Sequence, residues 1–146
     1  MAVPRILAVD WGQRRIGLAV SDPQGIIATG LETLVVRGPA DAIARVAKIA
    51  AEREIERIVV GLPLLLSGQR GEAAQSAQGF ADALAARTGL PVDTYDERLT
   101  SALSARRLRE VGGRRGRERA RVDQGAAVAL LESYLLRVRA AAGGKD

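Results

Sequence analysis

The sequence predicts an α/β fold in which a mixed sheet of five strands is flanked by helices. Three apolar runs joined by short turns open the chain, over residues 6–9, 16–20 and 25–36, which is typical of an antiparallel meander. From residue 38 onward, segments of helical periodicity alternate with short β-branched runs, as in βα units with parallel strands. A meander followed by βα units gives a sheet with antiparallel and parallel neighbours and helices on its faces.

The first hairpin organises the rest of the predicted sheet. Its first strand, Ile6–Val9, is apolar on both faces, as in a central strand covered on each side, and it ends on Asp10. Gly12 provides the backbone freedom for the turn into the second strand, Ile16–Val20. A carboxylate at the end of a buried strand is unfavourable unless it is paired or bound to a cation, but Asp10 could equally cap the turn.

Proline and glycine residues, together with the periodicity of apolar residues, indicate the helices and strands that follow the meander. Pro39 suits the first turn of a helix, and Gly89 is placed to cap the C-terminal end of another. The predicted core stripes are Ile43, Val46 and Ile49 in the first helix and Ala73, Ala77, Phe80 and Leu84 in the second. The predicted elements are a helix from Gly38 to about Glu54, a strand over Arg57–Gly61, a helix over Glu72–Thr88, a strand over Pro91–Tyr95, a helix from Thr100 to about Val111, a mobile Gly- and Arg-rich loop over Gly112–Arg119 and a last helix from about Val122 to Ala141.

Composition excludes several kinds of site. The chain has 146 residues, enough for one domain with a core, and we expect a single domain over residues 1–146. It contains neither Cys nor His, which excludes disulfides, thiolate or imidazole metal sites and His-dependent nucleophiles. Any bound metal must therefore have oxygen ligands, which favours Mg²⁺ or Mn²⁺. Without a signal-peptide core or an apolar run of about 20 residues, we expect a cytoplasmic protein that does not bind membranes.

Positive charge is concentrated in one segment. Between Arg106 and Arg121, eight arginines and two glutamates give a charge of 8 − 2 = +6, against +5 for the whole chain. Such a patch is typical of a surface that binds the phosphate backbone of a nucleic acid. Any single arginine, however, is more simply explained as a solvent-exposed surface residue. The candidate nucleic-acid-binding residues are Arg15, Arg98, Arg106, Arg107, Arg114, Arg115, Arg117, Arg119 and Arg121.

Acidic residues occur at three places that solubility does not explain. Asp10 ends the first strand, and Asp96 and Glu97 follow directly on the fifth. Asp123 lies in the first turn of the last helix, in phase with the apolar residues that must pack on the sheet, although a favourable charge at a helix N-terminus is an alternative explanation. The residues in phase with Asp123 are Ala127, Leu130, Leu131, Tyr134, Leu135 and Val138.

Converging carboxylates beside a basic segment indicate phosphodiester chemistry. Like charges at close range cannot all stay ionised without a cation, so divalent ions are the natural compensation. A pair of ions roughly 3.5–4 Å apart can activate water and stabilise the leaving oxygen of a phosphodiester. Because the chain lacks His, a metal-activated water is the available nucleophile. The residues therefore favour a metal-dependent nuclease over a domain without chemistry.

Four stretches of the sequence resemble the blocks of the YqgF/RuvX family. They are Asp10–Asp22 (DWGQRRIGLAVSD), Ile58–Leu84 (beginning IVVGLP), Tyr95–Arg107 (YDERLTSALSARR) and Arg121–Leu135 (RVDQGAAVALLESYL). They follow the family's order over nearly the whole chain, and the combination of D-x-G-x-x-R-I-G, V-G-L-P, D-E-R-L-T and D-x-x-A-A is specific. Departures are small, such as Arg14 where the family usually has Lys.

The resemblance implies a ribonuclease-H-like fold and nuclease activity. The family is described as Holliday-junction resolvases and, in bacteria, as the nuclease that matures the 5′ end of 16S rRNA. On this basis Asp10, Glu97 and Asp123 are the expected metal-binding catalytic acids, with a pair of Mg²⁺ or Mn²⁺ ions. The expected partner is pre-rRNA or branched DNA. A junction resolvase would act as a homodimer because it cuts two strands symmetrically, whereas a trimming nuclease can act as a monomer.

Several neighbouring residues have competing interpretations. Adjacent residues of a strand point to opposite faces, so only one of Asp96 and Glu97 should enter the site, and the resemblance selects Glu97. Asp22 is better explained as a strand-end cap than as a fourth acid, and Ser21 as a cap as well. Trp11 could stack on a base, but packing within the turn is the better explanation.

Two other functions fit parts of the sequence. A non-catalytic RNA-binding ribosome assembly factor would keep the fold, but a pure binder does not need three buried carboxylates. An ATP-binding domain of the actin or sugar-kinase type also has a D-x-G turn after its first strand. That architecture requires two such domains, and this chain has room for one.

Overall fold

The computed structural model describes residues 4–12, 14–63, 71–96 and 116–143, and these form a mixed six-stranded sheet with helices on both faces. In chain order the elements are β1 (Ile6–Asp10), β2 (Arg15–Ser21), β3 (Ala28–Gly30), β4 (Leu34–Val35), α1 (Pro39–Glu52), β5 (Arg57–Leu62), α2 (Glu72–Thr88), β6 (Val92–Asp96) and α3 (Gly116–Gly143).

The sheet has the predicted mixed topology. Its strand order is β3-β2-β1-β5-β6, with β4 also paired to β2. β1 is antiparallel to β2 and parallel to β5, and β5 is parallel to β6. The prediction of a single strand over 25–36 is wrong, because this segment forms two short strands, β3 and β4, separated after Gly30. β3 and β4 pair with opposite ends of β2, which is seven residues long, so the sheet has six strands instead of five.

Strand alternation separates the core into two layers. Leu7 and Val9 of β1 belong to the cluster that α1 and α2 cover, whereas Ile6 and Ala8 belong to the cluster that α3 covers. All four side chains are fully buried, so β1 is covered on both faces as predicted. The residues that α3 contributes to its layer are Ala127, Leu130, Leu131, Tyr134 and Leu135.

The first two helices differ from the prediction at three core positions. In α1 the predicted Ile43 and Ile49 are only partly buried, and Ala42 and Ala50 are buried in their place; the third difference is in α2. Pro39 lies in the first turn of α1, and Gly89 caps α2 in the left-handed conformation with φ 73°. In α2 the buried residue of the first turn is Ala74, and the predicted Ala73 is exposed. Both positions are helical neighbours of Ala77, and both are alanine, so composition could not distinguish them. The residues that bear out the predicted stripes are Val46, Ala77, Phe80 and Leu84.

The last helix begins earlier than predicted. α3 starts at Gly116 instead of Val122, so the loop predicted over Gly112–Arg119 is wrong for residues 116–119. The stretch from Arg117 to Arg121 consists of Arg, Glu and Ala, which are strong helix formers, and the glycine stands at the end of the helix, where it is tolerated best. Residues 112–115 and the helix predicted over 100–111 lie outside the described residues. Within the described ranges, no helix is both long and apolar enough to cross a membrane.

Glu54, just after α1, predicts a stabilising substitution. It has φ 55°, in the left-handed region, and the following N–H of Ile55 donates to the carbonyl of Ala50 at 2.9 Å. A side chain in this conformation costs roughly 1–2 kcal/mol, which glycine avoids. We expect Glu54→Gly to raise the free energy of unfolding by about 0.5–1 kcal/mol after its larger unfolded-state entropy is included. A denaturant titration at constant m-value measures this change.

Glu52→Gly is the matched control, because it makes the same change in the last turn of α1. There glycine should lower stability by up to about 1 kcal/mol. If both variants lose stability, the left-handed geometry at Glu54 is not a source of strain.

Candidate active site

Three parallel strands bring their C-terminal ends to one edge of the sheet. β5 lies between β1 and β6 and is parallel to both. At this edge β1 ends on Asp10, whose side chain is only 3% exposed. Val9 pairs with Val60 and Gly61 pairs with Tyr95, so Asp10 is level with these last two residues. We refer to this edge as the Asp10 edge.

Alternation along the strands decides which acidic residues share a face. Ala8 packs against α3, so Asp10, two residues on, lies on the same face of the sheet. On β6, Tyr95 belongs to the α3 layer, and Asp96 therefore lies on the opposite face. The prediction that only one of the adjacent acids enters the site is consistent with this placement. Glu97 itself lies outside the described residues.

α3 covers the face of the sheet on which Asp10 lies. Tyr134 of α3 contacts Arg57 and Asp93 near the beginnings of β5 and β6, and Ser133 and Arg137 contact Tyr95 near the end of β6. The backbone of Asp123 is eleven residues before Tyr134, which corresponds to roughly 16 Å along the helix, at a helical position in phase with the buried Ala127. The convergence of Asp123 with Asp10 stays a prediction.

The turn after Asp10 is fixed by packing and by a close backbone approach. Trp11 stacks on Phe80 of α2 with ring centroids 4.3 Å apart and an angle of 15°, and its Nε1 donates to Ser76 Oγ at 3.0 Å. The prediction that Trp11 packs within the turn is confirmed, and its ring lies on the sheet face opposite to Asp10. A Cβ atom on Gly12 would lie 2.5 Å from the carbonyl oxygen of Arg15, so the chain requires glycine there.

Ser21 and Asp22 have the capping roles that the sequence favoured. Ser21 Oγ accepts a hydrogen bond from the N–H of Ile6 at 2.8 Å. Asp22 Oδ1 accepts from the N–H groups of Ile26 and Ile27, at 2.7 and 3.0 Å. The hydrogen bond from Ile27, followed by that from Ile26, lowers the pKa of Asp22 below its ordinary value. Asp22 follows the end of β2 that pairs with the start of β1, away from the Asp10 edge.

Arg15 is the one predicted phosphate-binding arginine whose side chain is described. It begins β2, and alternation places it on the same face as Gly17, which pairs with Asp10. Its Nη1 atom is buried, and among the described residues it has no hydrogen-bond partner, so it can donate to an anion. The backbones of Arg117, Arg119 and Arg121 lie in the first turns of α3. The predicted arginines outside the described residues are Arg98, Arg106, Arg107, Arg114 and Arg115.

The donor set suits a hard divalent cation. The three predicted ligands are carboxylates, whose oxygens are the ligands that Mg²⁺ and Mn²⁺ prefer. Asp10 presents its carboxylate from a rigid, fully paired central strand. Among the side chains that the structure describes, no group of three acidic residues could hold a metal ion, and Asp10 is the only one of the three predicted ligands in that set.

Comparison with a family model decides the family. The model described as "RuvX: Holliday junction resolvase" matches residues 4–137. The chain belongs to the RuvX family. A relative from Chloroflexus aggregans named "Putative pre-16S rRNA nuclease" is 45% identical over 130 residues, covering 89% of this chain and 92% of its own. A relative of the same name from Mycobacterium ulcerans is 45% identical over 142 residues, covering 97% and 84%.

Solved structures share the fold of this RuvX protein. RuvC of T. thermophilus in complex with a Holliday-junction substrate superposes with a TM-score of 0.62 at 20% identity, covering 92% of this chain and 95% of its own. The fowlpox virus Holliday junction resolvase gives a TM-score of 0.51 at 12% identity, covering 91% and 99%. The predicted ribonuclease-H-like fold is confirmed. Family and relatives support a nuclease, and a non-catalytic RNA-binding factor is not favoured.

Proposed function

We propose that this chain is a metal-dependent endonuclease whose physiological substrate is the 5′ region of pre-16S rRNA. The observation that carries the mechanism is the burial of Asp10 at the end of the central strand β1, on the face of the sheet that α3 covers. Asp10, Glu97 and Asp123 hold a pair of Mg²⁺ or Mn²⁺ ions. The relatives named for pre-16S rRNA favour this substrate, and resolution of branched DNA is the related activity.

Each acid has a separate structural task in this proposal. The bound ions supply Lewis acidity at the attacked phosphodiester. Asp10 presents oxygen ligands from the central strand, and its burial excludes bulk water on the sheet side. Glu97 comes two residues after Tyr95 in the sequence, and in this proposal it supplies the second set of oxygen ligands. Asp123 completes the set from the helix. Arg15 donates from Nη1, which has no hydrogen-bond partner in the described part of the chain, to a substrate phosphate beside the acids.

A side-by-side cleavage assay tests both the chemistry and the substrate. Labelled pre-16S rRNA fragments and synthetic four-way DNA junctions are incubated with the protein in Mg²⁺, in Mn²⁺ and in EDTA. We expect metal-dependent cleavage near the mature 5′ end of the RNA, slower cutting of the junction, and no cleavage in EDTA. Full activity in EDTA would overturn the metal mechanism, and preference for the junction would overturn the RNA assignment. Sedimentation of the same samples distinguishes a monomer from the homodimer that symmetric cutting requires.

The basic segment before Asp123 predicts a salt-dependent interface. Replacing Arg114, Arg115, Arg117 and Arg119 by Ala should weaken binding to single-stranded RNA and reduce the log–log salt slope by about 0.7 per lost phosphate contact, or up to about 3 in total. Alanine favours the helix that begins at Gly116, so the melting temperature should hardly change. Salt titrations of binding, paired with melting curves, measure both effects.

The control removes the same charge from a remote surface. Its substitutions lie on or next to α1 and α2, and they are Arg37→Ala, Lys48→Ala, Arg53→Ala and Arg87→Ala. If this variant reduces the slope as much as the first, net charge alone explains binding and the basic segment makes no phosphate contacts.

A further inference from the structure

The inner face of α3 packs on the sheet through apolar and directional contacts. Its apolar contacts are chiefly with β1, β2 and β3, where it meets side chains such as Ile6, Ala8 and Ala19. Burial of apolar surface is favourable but non-directional. Contacts with defined directions add a preference for one position of the helix.

Such contacts join α3 to β6. Tyr95 Oη lies 2.6 Å from Ser133 Oγ, within hydrogen-bond distance. The Tyr95 and Tyr134 rings meet edge to face, with centroids 5.9 Å apart and an angle of 87°. The guanidinium of Arg137 lies over the Tyr95 ring, 5.7 Å from its centroid. Three residues of α3 thus contact one side chain of β6.

A second polar group holds the same flank of α3. The Tyr134 hydroxyl donates to Asp93 of β6, and Arg57 Nη1 approaches Tyr134 Oη at 3.4 Å and Asp93 Oδ2 at 3.5 Å. Burial, together with the hydrogen bond to Asp93, raises the pKa of Tyr134, so its hydroxyl remains a donor at neutral pH. We call Arg57, Asp93, Tyr95, Ser133 and Tyr134 the tyrosine clamp.

We infer that the tyrosine clamp positions α3 against β6 and thereby sets the separation of two metal-binding acids. The inference rests on the proposed function, in which β6 leads into Glu97 and α3 carries Asp123. Asp93 and Tyr95 of β6 precede Glu97 by four and two residues along the chain, whereas Ser133 and Tyr134 follow Asp123 by ten and eleven residues on one helix. A shift of the helix along the sheet would move Asp123 by the same distance. The clamp residues are not among the proposed metal ligands or phosphate contacts, so we assign them a positioning role.

Removing single hydroxyl groups tests the clamp with little risk to the fold. Ser133→Ala deletes the partner of Tyr95, and Tyr134→Phe deletes the donor to Asp93 while keeping the edge-to-face ring contact. Thr88→Ala is the matched control, because the Thr88 hydroxyl joins the carbonyl of Leu84 and the N–H of Leu90, remote from α3. All three variants should fold with similar small losses in melting temperature.

Direct metal binding is the decisive measurement. Titration with Mn²⁺, followed by electron paramagnetic resonance or calorimetry, should show about 10-fold weaker binding in Ser133→Ala and Tyr134→Phe, comparable to the loss of an outer-shell partner of a ligand. The rate constant kcat at limiting Mn²⁺ should fall in parallel and recover in excess Mn²⁺, while KM for nucleic acid stays unchanged. Thr88→Ala should bind Mn²⁺ like the wild type.

The outcomes separate the clamp from the proposed function. Wild-type Mn²⁺ affinity in both clamp variants would overturn the positioning role, even if cleavage by the wild type depends on metal as proposed. Equal losses of affinity in the clamp variants and in Thr88→Ala would reduce the clamp to a general stabilising contact. A wild-type chain that binds no Mn²⁺ would remove the metal proposal, and the clamp inference with it.

Discussion

Replacing Asp10 by Asn is expected to reduce cleavage by at least about 10³-fold, because metal-ion catalysis contributes several kcal/mol of transition-state stabilisation. The substitution keeps the shape of the side chain and removes the negative charge that a cation requires. Asp10 is buried at the end of a strand paired on both sides, so neighbouring residues cannot take over its position. The measurement is the single-turnover cleavage rate on the preferred substrate at equal Mn²⁺.

A melting curve distinguishes loss of metal binding from loss of fold. Without metal, Asp10→Asn should melt close to the wild-type temperature, because the amide has the same size and shape as the carboxylate at this buried position. A ligand that binds only the native state raises stability in proportion to its occupancy, so Mn²⁺ should raise the melting temperature of the wild type and not that of the variant. A variant that melts early in the absence of metal would assign Asp10 a structural role instead.

The neighbouring acids provide companions and a control. Glu97→Gln and Asp123→Asn should each reproduce the loss, whereas Asp96→Asn should retain most activity because Asp96 lies on the opposite face of the sheet. Wild-type cleavage in Asp10→Asn, Glu97→Gln or Asp123→Asn would remove that residue from the site. Loss of activity in Asp96→Asn at an unchanged melting temperature would reverse the choice between the adjacent acids.

The features predictable from sequence are those that depend on local chemistry. Gly89 and the apolar stripe fixed the bounds of α2, and the apolar run before Asp10 predicted a strand covered on both faces. The buried end of that strand identified Asp10 as a candidate ligand without knowledge of its neighbours. Alternation in β6 places Asp96 on the face opposite to Asp10, and that only one of Asp96 and Glu97 enters the site stays a prediction, since Glu97 lies outside the described residues.

The features that sequence could not predict depend on which surfaces meet. α3 begins six residues earlier than predicted, at Gly116. Most residues of this segment have favourable helix propensity, but its glycine and its run of charged residues are also typical of a loop. In the tyrosine clamp, Asp93 and Arg57 are ordinary polar residues in strands, and their partner Tyr134 lies 41 and 77 positions from them along the chain. Two buried tyrosines, whose hydroxyl groups need partners, were the available signal in a chain with so few aromatic residues.

Gly12→Ala should impair both folding and cleavage through one steric conflict. The new Cβ atom would lie 2.5 Å from the carbonyl oxygen of Arg15, a backbone atom that cannot rotate away. No positive φ is required at Gly12, so the conflict is one of space alone. The turn must open, and that turn joins Asp10 to Arg15. We expect a loss of about 1–3 kcal/mol in the free energy of unfolding, as for other overpacked sites.

The effect on cleavage should exceed the effect on folding. A displacement of about 1 Å in a catalytic group can reduce the rate roughly 10²-fold, and the displaced turn carries a proposed ligand and a proposed phosphate contact. Gly79→Ala is the matched control, because Gly79 lies within α2 and an added Cβ atom would meet no other group within 4 Å. Alanine there should stabilise the helix by up to about 1 kcal/mol and leave cleavage unchanged. Denaturant titrations and cleavage rates should therefore separate the two variants, and a Gly12→Ala variant that matches the wild type in both would show that the turn adjusts without moving Asp10.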